Sequence, residues 1–403
     1  MFLLLTLMFL GCEPTSTSSF TEVEQFVLTN MQRPTEVPLD ETNQWDGNPD
    51  AIAFGKALFF NHTLSPNAIA CSTCHVPNLG FSDGIVQSFG ADVTPRHSPT
   101  IIDAAHHTWF RWDGGCDSLW CQAIGPLESP KEMNGSRTFV VGAIEADPGL
   151  KTQYEALFGS LPDVSDINPS ARPTATDTVA NEHWETLSDE TKIGITEALV
   201  HVVKSIAAYE STIQSDRTVF DDFIDQFLDE SYSEEAALSL LSPLEESGLR
   251  LFVGEGECHL CHNGPTFSND SFHNIGLGPR DWLEDTNVGR YEGITILQES
   301  EFNAQGIWSD SPNGERAMRV DRLVQSTEQL AQFKTPTLRN LSQTAPYMHG
   351  GHFNTLEEVI EHYSGLEESA LQGHSDEVLA PLNWTDSEVE AMIAFLQLLD
   401  DSQ

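Results

Sequence analysis

Basic side chains are the scarcest feature of this sequence: 19 lysines and arginines stand against 62 aspartates and glutamates, a formal charge of −43. Nucleic acids and anionic membrane surfaces are bound by clustered lysine and arginine that displace counterions, so both are excluded as partners. A basic redox protein would be attracted, and the same acidity also keeps an extracytoplasmic protein soluble. Long apolar runs are missing too. The stretch Phe2 to Leu10 is well short of the roughly 20 residues that span a bilayer, which leaves an N-terminal anchor as the one route to a membrane. Segments alternating apolar and polar residues are scarce, so the chain reads as mainly α.

Cysteine is also sparse, at seven residues in 403, and its grouping is therefore informative. Cys71-Ser72-Thr73-Cys74-His75 recurs once, as Cys258-His259-Leu260-Cys261-His262. Two thiols three positions apart can form thioethers with the vinyl groups of one haem, and the next residue can place an imidazole on its iron. A lone Cys-x-x-Cys would also suit half a zinc site or a thioredoxin-like pair, but either leaves the following histidine unexplained. The remaining rival, one zinc held by all four cysteines, conflicts with a separation of 187 residues (258 minus 71), which suits two domains better than one compact knuckle. The pattern predicts two covalent c-type haems with His75 and His262 on the iron.

The other cysteines divide as follows. Leu10-Gly11-Cys12 resembles a bacterial lipoprotein signal in which Cys12 becomes the acylated first residue of a periplasmic protein; the start of the chain lacks Lys or Arg, so an ordinary signal peptide or a misassigned start codon stays open. The polar stretch Glu13 to Ser19 reads as a tether. Cys116 and Cys121 are left, either bridged or as two buried thiols; an ideal helix would hold them on different faces, so a bridge requires a turn.

At 403 residues the chain exceeds what one core usually serves, and 39% hydrophobic content suffices for two. Ile52, Phe54, Leu58 and Phe59 predict an amphipathic helix within Pro49 to Ser65 that delivers the chain to the first motif. Phe81 to Arg96 is Gly-rich and polar, a loop beside it. Trp184 to Ile213 holds the clearest helix, preceded by a Pro/Thr/Asp-rich connection, Leu161 to Asp177, taken as the domain boundary. Ser242-Pro243-Leu244-Glu245 is a capping box opening the helix that leads to the second motif, and Thr385-Asp386-Ser387-Glu388 opens a terminal helix. Helix followed by haem motif in both halves suggests a duplicated unit whose flanks share little else.

Several collinear segments resemble the bacterial di-haem cytochrome c peroxidase and MauG family from about Asn48 to Leu399. They are Gly55-Lys56-Ala57-Leu58-Phe59-Phe60, Ser98-Pro99-Thr100, Trp112-Asp113-Gly114, Gly125-Pro126, Glu132-Met133, Thr335-Pro336-Thr337-Leu338-Arg339-Asn340 and Ala345-Pro346-Tyr347-Met348-His349-Gly350. The resemblance implies two cytochrome c-like domains, each with one haem c: residues 46–180 around a peroxide-reacting haem and 181–365 around an electron-transfer haem. Residues 1–12 then form the signal, 13–45 the tether and N-terminal extension, and 366–403 a C-terminal segment. The implied activity is reduction of hydrogen peroxide, with electrons from a small cytochrome c or copper protein relayed from the second haem to the first.

Residue by residue, the resemblance makes Glu132 the distal carboxylate that moves a proton between peroxide oxygens, with Gln122 a polar residue beside the same pocket and Trp112 an oxidisable ring between the haems. The plainer readings are a solvated carboxylate and a core tryptophan. His349 resembles a histidine near the second haem, and His273 is a weaker candidate for which a structural role is the simpler reading. Two departures matter. Gly84 to Pro95 contains no histidine, whereas many members carry one there that caps the reacting iron. His97 occupies the position where the family usually has an Asn that binds an interdomain calcium; Thr344 and Pro346 match the carbonyl donors to that ion, but an imidazole does not suit it. At the second haem Tyr363 falls where peroxidases have Met and MauG-like members have Tyr, with Met348 the competing sixth ligand and a partly buried helix tyrosine the plainer reading. A phenolate favours ferric and higher-valent iron, which points to MauG-like oxidation of a partner protein's aromatic side chain as the alternative function. A non-catalytic electron-transfer cytochrome is the rival from another class.

Overall fold

The computed structural model describes residues 18–278, 280, 288–366 and 379–401; Cys12, the signal and most of the tether lie outside them. The described chain is mainly helical. Its one sheet among those residues is a two-residue antiparallel pair, Phe272–His273 with Phe333–Lys334, in which His273 faces Phe333 across the ladder. No described helix is long and apolar enough to cross a membrane.

The haem motifs are delivered by matching helices. Asn48 caps Pro49–Phe59 by accepting the Asp50 and Ala51 amides, and Pro49 fills the first helical position, where no N–H is needed. In the second half Ser242 and Glu245 close a full capping box on Pro243–Val253. Each helix then crosses the last long helix of its half, Asp189–Glu210 and Asp386–Gln397 respectively, at a glycine. A Cβ on Gly55 would collide with the Ser205 carbonyl, and one on Gly248 with the Ala391 carbonyl. Backbone therefore meets backbone at both crossings, and the flanking Phe54, Leu58, Phe59, Leu249 and Phe252 are all buried.

The halves share far more than the sequence suggests. His75 Nδ1 lies 3.1 Å from the Phe81 carbonyl and His262 Nδ1 2.9 Å from that of Phe267. Both phenylalanines adopt left-handed backbone, φ 53° and 54°. The serines after them, Ser82 and Ser268, donate to the Ser98 and Thr335 carbonyls, each at 2.7 Å. Thr100 and Thr337, two residues further on, donate back to the residues before the phenylalanines, Gly80 at 2.6 Å and Thr266 at 2.8 Å. Finally Asp103 and Asn340 take left-handed φ of 59° and 61°. One hydrogen-bonded cradle is thus built twice.

Two large apolar cores and a small third cluster, Leu297, Ala304, Ala317 and Val320, form among the described residues. The first draws on residues from Phe54 to Ile213 together with Phe302, so Asp189–Glu210 packs with the first half. The helix expected within Trp184 to Ile213 is Asp189–Glu210, which Ser188 caps by accepting the Thr191 amide at 3.2 Å, and a separate helix, Thr178–Glu185, precedes it. The helix expected within Pro49 to Ser65 is Pro49–Phe59, after which Asn61 caps a separate short turn, His62–Leu64. The second core contains residues from Phe220 to Leu399 together with Phe20, Val27, Leu28 and Met31. The N-terminal extension is therefore a structural part of the second half. In exchange, residues 288–324 lie on the first: Arg290 donates to the Gly114 carbonyl at 2.8 Å, the Ala304 amide to Asp117 at 2.7 Å, and Lys204 pairs with Asp310 at 2.5 Å.

Candidate haem sites

Cys71–Cys74 form a single helical turn, with Cys71, Cys74 and His75 half-buried. Because His75 Nδ1 faces a carbonyl, that nitrogen carries the proton and Nε2 keeps its lone pair for a metal. Burial lowers the His75 pKa, favouring the neutral, ligating form. Ser98 Oγ lies 3.1 Å from the same Nδ1. His262 is prepared identically, and burial brings its pKa to about 4.

Glu132 stands in the turn after the helix Leu119–Glu128. Its backbone is fixed from both sides: its amide donates to the Ser129 carbonyl at 3.2 Å, and its carbonyl accepts the Ala91 amide at 2.7 Å, so the 84–96 loop rests on this turn. The side chain is half-buried, and burial raises its pKa while Ser129 and Arg111 hold it back. Burial followed by the charges of Asp83 and Glu132 pushes the Cys74 thiol up to about 11. Gln122 is half-buried on Leu119–Glu128. Arg111 was not singled out in the sequence; its backbone is left-handed (φ 66°), its guanidinium lies against Gly125, and Cys116, Asp113, Cys121 and Glu132 keep it protonated. Cys116 and Cys121 are buried, free and in contact: Cys116 precedes the helix that contains Cys121, and the Ser118 cap between them supplies the required turn without a bridge.

Glu210 was also missed. It is 5% exposed, its Oε2 has no partner among the described residues, and it neighbours Cys71; burial raises its carboxyl to about 8. Nothing in local sequence marks it, since only the packing of Asp189–Glu210 buries it.

The second motif opens onto a cavity of about 530 Å³. Cys258, Cys261 and His262 line one part of it, Tyr363, Met348 and His349 others, with Leu338, Leu356, Ile360 and Met392 supplying apolar wall. The Tyr363 phenol shares the cavity wall with the two cysteines, and burial first and then the cysteines push its pKa up. Met348 has φ 70°. His349 is buried and stacks on Phe333 at 3.6 Å and 10°; burial and Arg96 keep it neutral. His273 lines the same cavity, 3.3 Å from the Asn269 amide nitrogen. Trp112 lines it too, with ring centroids 5.7 Å from His97 and 6.4 Å from His349, and its Nε1 is buried with no partner among the described residues. A thiol pair, an imidazole with a free Nε2, an apolar wall and an unpartnered indole N–H fit a covalent haem. A second hollow, about 550 Å³ around Thr63, Gly142, Val164 and Ile167, lies away from both motifs.

Calcium does not fit. His97 Nε2 donates to the Met348 carbonyl at 2.9 Å, so an N–H points where a cation would need an oxygen. Thr344 Oγ1 lies 3.5 Å from the Leu341 carbonyl, and Pro346 follows a cis peptide bond.

Comparison with known proteins agrees with this geometry. The family described as di-haem cytochrome c peroxidase matches residues 49–229. The methylamine utilization protein MauG of Methylorubrum extorquens is 30% identical over 374 residues, 92% of this chain and 83% of that one. The chain belongs to the di-haem cytochrome c peroxidase and MauG family. The cytochrome-c peroxidase IdrP1 of Denitromonas iodatirespirans is 28% identical over 91% of this chain and 84% of its own. Among solved structures, the diheme peroxidase BthA of Burkholderia thailandensis superposes with a TM-score of 0.63 at 19% identity, covering 88% of this chain and 87% of that one; that likeness concerns the fold. As a member of this family the chain is an oxidoreductase, and family membership implies two haem c groups.

Proposed function

We propose that this chain is a periplasmic di-haem peroxidase that reduces hydrogen peroxide with electrons from a small cytochrome c or copper protein, entering at the second haem. The observation that carries the reading is the twice-built cradle: two Cys-x-x-Cys-His motifs whose histidines are each oriented by a phenylalanine carbonyl, at 3.1 and 2.9 Å. Bound covalently at Cys71/Cys74 and Cys258/Cys261, haem supplies the iron that takes up electrons and peroxide. The protein supplies the rest. His75 and His262 present Nε2 as proximal ligands. Glu132, whose raised pKa lets it hold a proton nearer neutrality, takes a proton from one peroxide oxygen and returns it to the other, with Gln122 beside it and Arg111 opposing excess proton affinity. Trp112 and His349 stand between the halves, where an aromatic ring can pass an electron. The halves are read as two cytochrome c-like domains that meet between Ile213 and Phe220, where one core ends and the other begins. Cys12 would anchor the chain through lipid.

A second reading is favoured by Tyr363. A phenol in the cavity that Cys258 and Cys261 line, which would ligate the second iron, together with an 84–95 loop without histidine to cap the first, suits MauG-like oxidation of a partner protein's aromatic side chain. Steady-state peroxide consumption by the di-haem protein with reduced cytochrome c, beside the same assay without donor, separates the cases. Donor-dependent turnover supports the peroxidase; a high-valent species that persists without donor supports the oxidase. A first haem inert to peroxide leaves only electron transfer.

A further inference from the structure

Arg96-His97-Ser98 touches both haem sites at once. Ser98 Oγ lies 3.1 Å from His75 Nδ1, while the two residues before it reach across to the turn at Met348 and His349. His97 Nε2 donates to the Met348 carbonyl at 2.9 Å, and Arg96 donates to the His349 carbonyl at 3.1 Å. The Arg96 guanidinium also lies 5.1 Å over the Phe333 ring, which stacks on His349. The same turn is held from its own half. The Tyr347 amide donates to the Phe353 carbonyl at 2.8 Å, Tyr347 Oη to the Leu341 carbonyl at 2.9 Å, and the Gly351 amide to Met348 at 3.1 Å. Met348 thus sits in a left-handed conformation, φ 70°, that is unusual for a side chain of its size, with the carbonyls of Met348 and His349 engaged from the other half.

Met348 and Tyr363 line the same cavity, so both can contend for the second iron. They are not equally free. Tyr363 extends from the regular helix Leu356–Gly365 and lines the cavity that Cys258 and Cys261 also line. The Met348 thioether stands on a turn whose backbone is held by hydrogen bonds from both halves, which narrows its reach. We propose that Arg96 and His97 are positioning residues that clamp the Met348–His349 turn and thereby leave the sixth position of the second haem to Tyr363. The clamp uses the chain's own N–H donors at a junction where His97 excludes a calcium ligand. The proposal rests on Tyr363 being the sixth ligand, as read above.

The test uses the full-length di-haem protein, reading the absorption spectrum and midpoint potential of the second haem. Removing the clamp with Arg96→Ala/His97→Ala should raise that potential and introduce a thioether-to-iron charge-transfer band, since thioether ligation raises the potential that a phenolate lowers. Adding Met348→Leu should abolish both changes. His97→Gln, whose amide can still donate to the Met348 carbonyl, should keep the original spectrum. A double variant with both haems attached but an unchanged spectrum and potential overturns the clamp, as does a change that Met348→Leu leaves in place. Should the double variant not accumulate, His97→Leu carries the same outcomes. An unchanged spectrum in Tyr363→Phe alone overturns the ligand assignment instead, so the two failures are told apart.

Discussion

Replacing Glu210 by Gln tests a large electrostatic quantity at a single buried atom. The carboxyl is 5% exposed, has an oxygen with no partner among the described residues, and has its pKa raised by burial from 4.5 to about 8. In the unfolded chain the group gives up its proton near the lower value, and in the folded chain near the higher one. Between them the folded state binds more protons, so stability falls as pH rises and levels off above the folded value. Carrying the pKa from 4.5 to about 8, at about 1.36 kcal/mol per pH unit, is a loss of about 5 kcal/mol, of which roughly 3.5 kcal/mol falls between pH 5 and 8. Glutamine has the same size and cannot ionise. Its cost is independent of pH, so the variant loses ground at pH 5 and gains on the wild type toward pH 8. Melting followed by circular dichroism at one scan rate, in steps from pH 5 to 9, should give a difference in apparent Tm that moves by on the order of 10 °C in the variant's favour. Parallel melting curves across that range would refute the reasoning, because they would mean that Glu210 is ionised in the folded protein or has a partner.

The other predictions concern the sites directly. Glu132→Gln should lower peroxide turnover by about 10²- to 10⁴-fold, the usual worth of a positioned acid–base group, while both haem absorption spectra stay as in the wild type; undiminished turnover removes Glu132 from the chemistry. Tyr363→Phe should change the absorption of the second haem and leave the first alone, with resonance Raman checking for loss of the phenolate signal. Gly55→Ala and Gly248→Ala should each destabilise their half by roughly 1–3 kcal/mol, read by denaturant unfolding, since the added methyl meets a backbone carbonyl in both helix crossings; a neutral Gly248→Ala would mean that the helices separate at little cost.

What could be read from the sequence was what is local. The capping box at Ser242 and Glu245 lies four residues wide and was legible, as were the two pentapeptides, because their chemistry resides in adjacent side chains. The duplication was mostly hidden. Its hydrogen bonds join Phe-Ser to Ser-Pro-Thr or Thr-Pro-Thr across 16 residues in one half (98 minus 82) and 67 in the other (335 minus 268), so no period connects them. The helix Asp189–Glu210 was legible from its apolar stripe, whereas its start at Ser188 is decided by one serine side chain. Arg111 and Glu210 were invisible for a different reason: in a chain this acidic a single charge carries little information until burial sets it apart. Family resemblance supplied Glu132, Trp112 and Tyr363, which patterning alone would have left as a surface acid and two core aromatics.

Because each half lends a segment to the other, synthesis and assembly run in opposite orders. Phe20 is among the first described residues to be made, yet it lies edge-on to Phe227 at 5.6 Å and beneath the Arg250 guanidinium at 4.4 Å. The helix it precedes must wait until the far end of the chain, to Leu399, is available before its core can close. The first half waits as well, for the 288–324 arm. Each half therefore depends on the other for a complete core, and cutting back either segment should loosen the half that borrows it.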